Sequence, residues 1–211
     1  MPRRLTADTG IDALTHSVEG YTSTWANDFS DGLCLQATRM VFSYLPRAVE
    51  YSAEDMEARE KMASAATIAG LGMSNSHIAL AHGMGHSAGA IFQIPHGRIT
   101  GLILPYTIEY ATNGRAGRYL DLARIAGLSA DDEAQAGPQL ASAIRELMRR
   151  IGQPLSLQAA GVSREDFEAN LAAVCDRAEM DAALITSRRI PDRSELQRLF
   201  RHAHEGQPVD S

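Results

Sequence analysis

Residues 77–96 read HIALAHGMGHSAGAIFQIPH and contain four of the seven histidines of the chain. The many small residues in this stretch would let neighbouring helices approach closely, and we expect a helix over 74–91. His82 and His86 are four positions apart, about 6 Å along a helix axis and about 40° around it, so both lie on one face. Pro95 ends the helix, and we expect His96 to lie on a turn that can fold back toward that face.

A second pair with the same spacing, Asp12 and His16, lies near the start of the chain. One carboxylate and several imidazoles that converge on a point suit Fe(II), Zn(II), Mn(II), Co(II) or Ni(II). Spacing alone leaves plainer interpretations open, namely a surface or core histidine pair and a local Asp12–His16 interaction. The apolar, glycine-rich surroundings of His82 and His86 favour a metal site, because buried titratable groups need partners.

The composition excludes several classes of protein. The chain has 211 residues, 45% hydrophobic and 22% charged, with a formal net charge of −6. These values indicate one sizeable core and exclude a disordered chain. The acidic balance disfavours nucleic acid, no apolar run is long enough for a membrane span, and no signal peptide follows residues 1–4. We expect a cytoplasmic protein without nucleic-acid or membrane partners, in which Cys34 and Cys175 are buried thiols.

Helical periodicity predicts an all-α helical bundle. From the amino to the carboxyl end, we expect helices over 12–23, 30–45, 52–70, 74–91, 99–111, 118–126, 139–151, 163–180 and 194–204. Pro46 should stop the second helix and Pro105 should kink or break the fifth. We expect a turn over 114–117 and an acidic loop over 128–138.

No β-branched runs alternate with these helices, so we expect no parallel sheet. The chain also lacks a Gly-x-Gly-x-x-Gly fingerprint after a strand and a Gly-x-x-x-x-Gly-Lys-Ser/Thr loop. The chain is therefore not expected to hold a dinucleotide or a nucleoside triphosphate by itself.

Two motifs carry a resemblance to a known family. Residues 5–21, LTADTGIDALTHSVEGY, resemble the metal-binding segment of iron-containing (group III) alcohol dehydrogenases. The segments 81–86 and 95–97, with the spacing between their histidines, are similar to the same family, as are 28–33 and, more weakly, 194–206. The resemblance covers nearly the whole chain and depends on specific histidine motifs.

The resemblance implies an all-helical metal-binding domain with four metal ligands, hereafter the Asp/His cluster: Asp12, His16, His82 and His96. We expect Fe(II) there, with Zn(II) as the alternative. In the family, the metal polarises an alcohol or carbonyl oxygen while hydride passes to or from a nicotinamide. His86 falls beside the metal, where substrate and nicotinamide meet, and a catalytic His86 could relay a proton to water. The alternative for His86 is a packing residue.

The resemblance also implies a missing part. Family members carry a nucleotide-binding domain before the position of Leu5, which we expect to be absent from this chain. NAD(P) would then be used only if a partner chain supplied that domain. We expect a single domain over 1–211, with a metal-site half (1–112) and a more polar half (113–211), a small alcohol, aldehyde or ketone substrate, and self-association into a homo-oligomer.

Two other functions stay open at this point. One is a metal-dependent lyase, isomerase or hydrolase, and the other is a catalytically incomplete helical module that keeps the ligands by descent.

Several further side chains receive plainer interpretations. We expect Glu19 and Asp31 to act as caps or salt-bridge partners. His77, at a position that is usually small in the family, is expected at the surface or in packing, with an additional substrate or metal contact as the alternative. A second group is assigned to solvent or to the core. We expect His202 and His204 to be solvated, and Trp25 and Phe29 to pack in the core.

Overall fold

The computed structural model describes residues 1–113 and 117–209, and in these ranges it contains helices and no strand. The all-α prediction is confirmed. The α-helices, in chain order, are α1 Arg3–Thr22, α2 Asp28–Glu50, α3 Met56–Ser74, α4 Leu80–Phe92, α5 His96–Thr112, α6 Leu120–Ile125, α7 Glu133–Arg150, α8 Arg164–Glu179 and α9 Arg193–Glu205. Short 3-10 helices cover Ser52–Glu54 and Ala182–Thr186. Residues 114–116 of the predicted turn lie outside the described residues.

Helix α1 is the centre of the bundle and contacts α2, α3, α4 and α5. Because it is surrounded on most sides, it has no continuous polar face. Its contact with α5 is unusually close: a Cβ at Gly97 would meet the carbonyl oxygen of Asp8, and one at Gly101 would meet Ile11. Only glycine allows this approach, which brings the first turn of α5 against the middle of α1.

The structure corrects the predicted positions of several helix ends. Helix α1 begins at Arg3 rather than at residue 12. Pro46 and Pro105 lie inside α2 and α5 and break neither helix. An internal proline costs about 3 kcal/mol, but every residue over 99–108 is buried. Since each fully buried large side chain stabilises by roughly 1.5–3 kcal/mol, packing outweighs the lost hydrogen bond in α5.

The predicted helix over 74–91 is shorter in the structure, since α4 begins at Leu80. The connection before it contains His77 with a backbone φ of 73°, a left-handed conformation that ends helices. The loop predicted over 128–138 is also wrong in its second half, because α7 begins at Glu133 with Asp132 as its N-cap. Here the cap determines the start and Pro138 is accommodated within the helix.

The structure corrects the predicted burial of three side chains. Trp25 and Phe29, predicted as core residues, are 58% and 64% exposed because they lie in the connection between α1 and α2 and in the first turn of α2. His204, predicted to be solvated, is buried and stacks on Phe167 at 4.3 Å between ring centres.

Two other observations concern thiols and membranes. Cys34 and Cys175 are free and buried, which confirms that prediction. None of the described helices combines the length and the apolar character that a membrane crossing requires.

Candidate metal centre

The four side chains of the Asp/His cluster come together where three helices meet. Asp12 and His16 lie one turn apart on α1, His82 lies in the first turn of α4, and His96 is the first residue of α5. Each side chain offers one ligand atom, and these atoms all lie within 4.8 Å of one another. His96 was predicted on a turn beyond a helix, but it opens α5, and the close α1–α5 contact places it beside Asp12.

The distances between the ligand atoms of the cluster are longer than hydrogen bonds. The Oδ1 atom of Asp12 lies 3.8 Å from Nε2 of His82 and 3.6 Å from Nε2 of His96. Hydrogen bonds of this type are about 2.7–3.2 Å long. The ligand atoms of the cluster therefore surround a space instead of forming hydrogen bonds with one another. The Asp12 carboxylate is oriented by Thr100, whose Oγ1 donates to Oδ1 at 2.9 Å.

The buried carboxylate of Glu19 orients His82. Its Oε2 accepts a hydrogen bond from Nδ1 of His82 at 2.6 Å and another from the backbone N–H of Ala79 at 2.9 Å. Its Oε1 accepts from the N–H of Ala81 at 2.5 Å. Glu19 therefore caps the amino end of α4 and pairs with a histidine there, so the predicted cap or salt-bridge role is confirmed.

This contact leaves the other ring nitrogen of His82 without a partner. Because Glu19 accepts at Nδ1, the proton of a neutral ring lies on Nδ1 and Nε2 keeps a lone pair. His82 is only 1% exposed, and its Nε2 is buried with no hydrogen-bond partner among the described residues. An unsatisfied buried acceptor costs about 1–3 kcal/mol. A cation between the ligand atoms would satisfy it, so the residues present fit a divalent metal.

Burial and nearby carboxylates shift the pKa values of the three histidines in the cluster. Burial lowers the pKa of His16 and of His96, although the carboxylate of Asp12 opposes this effect, so the site favours the neutral form of both rings. At His82 burial also lowers the pKa, but the charge and hydrogen bond of Glu19 raise it by more, so its pKa lies above the usual value. The carboxylates of Glu19 and Asp12 near His82 thus favour a positive charge here, which either a ring proton or a bound cation can supply.

His86 lies beside the cluster but outside it. Its ring stacks on that of His96 with 5.4 Å between centres and meets His82 edge-on at 5.8 Å. Its Nδ1 is 2.8 Å from Oδ2 of Asp181, and the side chain is 40% exposed. Sequence reasoning missed Asp181, because it follows α8 and is separated from His86 by 95 positions.

Two other candidates lie away from the cluster. His77 is exposed, with its ring edge-on to Trp25 at 5.8 Å, which agrees with the predicted surface or packing role. Asp31 forms an ion pair with Arg118, as predicted for a salt-bridge partner.

Comparison with known proteins identifies the family. Residues 6–204 match the model of the Fe-containing alcohol dehydrogenase family, C-terminal part. The chain belongs to the iron-containing alcohol dehydrogenase family. An NADPH-dependent butanol dehydrogenase of Clostridium saccharobutylicum is 33% identical to it over 210 residues, which cover 100% of this chain and 53% of that protein.

Solved structures of iron-containing alcohol dehydrogenases and their relatives share its fold. The iron-containing alcohol dehydrogenase of Thermococcus thioreducens has a TM-score of 0.86 and 29% identity, over 98% of this chain and 52% of that one. The sulfoacetaldehyde reductase of Bifidobacterium kashiwanohense in complex with NAD+ has a TM-score of 0.82 and 29% identity, over 96% of this chain and 51% of the other. This iron-containing alcohol dehydrogenase family member thus spans about half the length of these relatives.

Proposed function

We propose that this chain is the metal-binding part of an NAD(P)-dependent, iron-containing alcohol dehydrogenase-type oxidoreductase that acts on small alcohols, aldehydes or ketones. The observation that carries the proposal is the buried Nε2 of His82, which has no hydrogen-bond partner in residues 1–113 and 117–209 and lies 3.8 Å from Oδ1 of Asp12. The names of the relatives support the redox chemistry and the nicotinamide.

The metal in this proposal is Fe(II), with Zn(II) as the alternative, held by the Asp/His cluster. One carboxylate and three imidazoles, each of which binds a metal through an unprotonated ring nitrogen, suit either ion. When bound, a divalent metal supplies Lewis acidity that polarises the oxygen of an alcohol or carbonyl substrate.

Side chains of this protein would transfer the proton and orient the metal ligands. His86 is beside the cluster and 40% exposed, so its ring can hold the hydroxyl proton at Nε2 and pass it to solvent. Glu19 keeps the proton of His82 on Nδ1, and Thr100 keeps Asp12 facing the cluster. The carbon end of the substrate and the nicotinamide would lie on the side of His86.

The nucleotide-binding part in this proposal is separate from residues 1–211, which form one domain with its site in residues 1–112. Every residue of the Asp/His cluster, and His86, comes from that first half. A nucleotide-binding part, whether in the same polypeptide or in a partner, would have to reach the side of the cluster where His86 is exposed.

The test is anaerobic purification followed by metal analysis, with the His82→Ala variant and with His77→Ala as a matched control. We expect about one metal ion per chain in the wild type and in His77→Ala, and none in His82→Ala. The chain is then mixed with the nucleotide-binding half of a relative and assayed with 1-butanol and NADP. Turnover supports the dehydrogenase. Bound metal without turnover contradicts it and favours a metal-dependent lyase, isomerase or hydrolase, and absence of metal contradicts both.

A further inference from the structure

A carboxylate from a distant part of the chain engages the imidazole that lies beside the Asp/His cluster. Oδ2 of Asp181 is 2.8 Å from Nδ1 of His86. We propose that Asp181 is a positioning residue that keeps the proton of His86 on Nδ1 and its Nε2 free to take a proton. The proposal rests on the proposed function, in which His86 accepts the substrate proton.

The Asp181 carboxylate is itself held in place. Its Oδ1 accepts a hydrogen bond from the backbone N–H of Ala183 at 2.9 Å, and Asp181 is the N-cap of the 3-10 helix Ala182–Thr186. This short helix packs on α4, since a Cβ at Gly83 would collide with Leu184. The carboxylate therefore meets His86 with a fixed direction and with its other oxygen already occupied.

A second contact fixes the segment that precedes Asp181. The hydroxyl of Ser87 on α4 donates a hydrogen bond to the carbonyl of Val174 on α8. Since α8 ends at Glu179, Asp181 follows directly from a helix that is attached to α4 next to His86. The position of the carboxylate is thus determined by packing on both sides of it.

The chemistry of the two groups then decides the tautomer. An ionised carboxylate only accepts hydrogen bonds, so Nδ1 of His86 must donate and a neutral ring keeps its lone pair on Nε2. The stacking of His86 on His96 at 5.4 Å restricts rotation of the ring.

The occupied Oδ1 makes Asp181→Asn a sharp test. The amide oxygen of the variant is the only atom that can accept from Ala183 N–H, so the NH2 group faces Nδ1 of His86. An NH2 group donates, and the ring should therefore move its proton to Nε2. The size and shape of the side chain are preserved, whereas the tautomer is reversed.

The experiment is NMR of the chain labelled with 15N at histidine, at about pH 8.5, above the usual imidazole pKa of about 6.5. We expect the Nδ1–H tautomer for His86 in the wild type and the Nε2–H tautomer in Asp181→Asn. The control, Asp176→Asn on the exposed face of α8, should keep the wild-type spectrum. An Nε2–H tautomer in the wild type, which requires no variant to fold, overturns the proposal, as does an unchanged tautomer in folded Asp181→Asn.

Measurements of Zn(II) binding and of kinetics distinguish a positioning role of Asp181 from a purely structural one. Asp181→Asn should bind Zn(II) as the wild type does, and in the enzyme assembled with a nucleotide-binding half its kcat should fall by about 100-fold or more with KM unchanged. Loss of Zn(II) binding, or a rise in KM with kcat unchanged, contradicts the positioning role. The tautomer is measured without metal or nucleotide. Its result therefore tests the role of Asp181 even if the proposed function proves wrong.

Discussion

Glu19 on α1 and His82 on α4 are joined by a buried hydrogen bond of 2.6 Å across 63 positions of sequence. The same carboxylate accepts from two backbone N–H groups at the amino end of α4. Glu19 therefore determines both where α4 begins and the orientation of the His82 ring. The histidine is held with Nε2 toward Asp12 before any cation arrives.

Glu19→Gln should weaken metal binding by about 10–100-fold, the usual effect of losing a carboxylate behind a histidine ligand. Both Glu19 oxygens accept from backbone N–H groups, so an amide NH2 faces a donor whichever oxygen it replaces. The glutamine side chain must therefore shift, and the hydrogen bond that orients His82 is weakened or lost. The measurement is Zn(II) affinity by competition with a chelator. Glu146→Gln, on the exposed face of α7, serves as control and should bind like the wild type. Equal affinities for Glu19→Gln and the wild type would show that the buried bond does not orient the ligand.

His77→Gly should stabilise the chain by about 1 kcal/mol. His77 has a φ of 73°, and a side chain in the left-handed region costs roughly 1–2 kcal/mol that glycine avoids. The lost edge contact with Trp25, at 5.8 Å, offsets part of this gain. Urea unfolding measures the difference, and His202→Gly inside α9 should instead destabilise by about 1 kcal/mol. A loss of stability in His77→Gly would mean that the Trp25 contact outweighs the backbone strain.

The pH dependence of stability should depend on Glu195, which accepts hydrogen bonds from the Tyr110 hydroxyl and the Asp192 backbone and pairs with Arg189. These contacts, that of Tyr110 first, lower the pKa of Glu195 in the folded state. Its contribution is therefore present above the unfolded pKa of about 4.3 and is lost as the pH falls through the lower folded value.

Glu195→Gln should accordingly unfold more easily than the wild type at pH 7, and the difference should shrink as the solution is acidified below about pH 4. Urea unfolding at the two pH values measures it, with the exposed Glu146→Gln as reference. A difference that stays constant or grows on acidification would contradict the assigned pKa direction.

Local spacing predicted the helical class, and the resemblance to a known family implied which residues form the Asp/His cluster. Asp12 and His16 share a helix face by arithmetic, and the small residues around His82 predicted close helix contacts, such as the one that Gly85 makes with Thr100 on α5. The shared face of Asp12 and His16 and the small residues of α4 are each encoded within a few positions, whereas the meeting of α1, α4 and α5 is not.

The features that sequence reasoning missed depend on tertiary packing. Pro105 is tolerated because α5 is buried along 99–108, which no local rule takes into account. Asp181 meets His86 only because α8 is attached to α4, and His204 is buried only because Phe167 on α8 covers it. The break before α4 follows from the φ of His77, a residue type that does not signal a left-handed turn.

Anomalous diffraction from crystals of this chain grown with Zn(II) would locate the ion itself. We expect one strong peak per chain, about 2.0–2.2 Å from one side-chain atom of each member of the Asp/His cluster, with His86 uncoordinated and still bonded to Asp181. The absence of a peak at that point, or an ion held by other residues, would contradict the metal site on which the proposed oxidoreductase function depends.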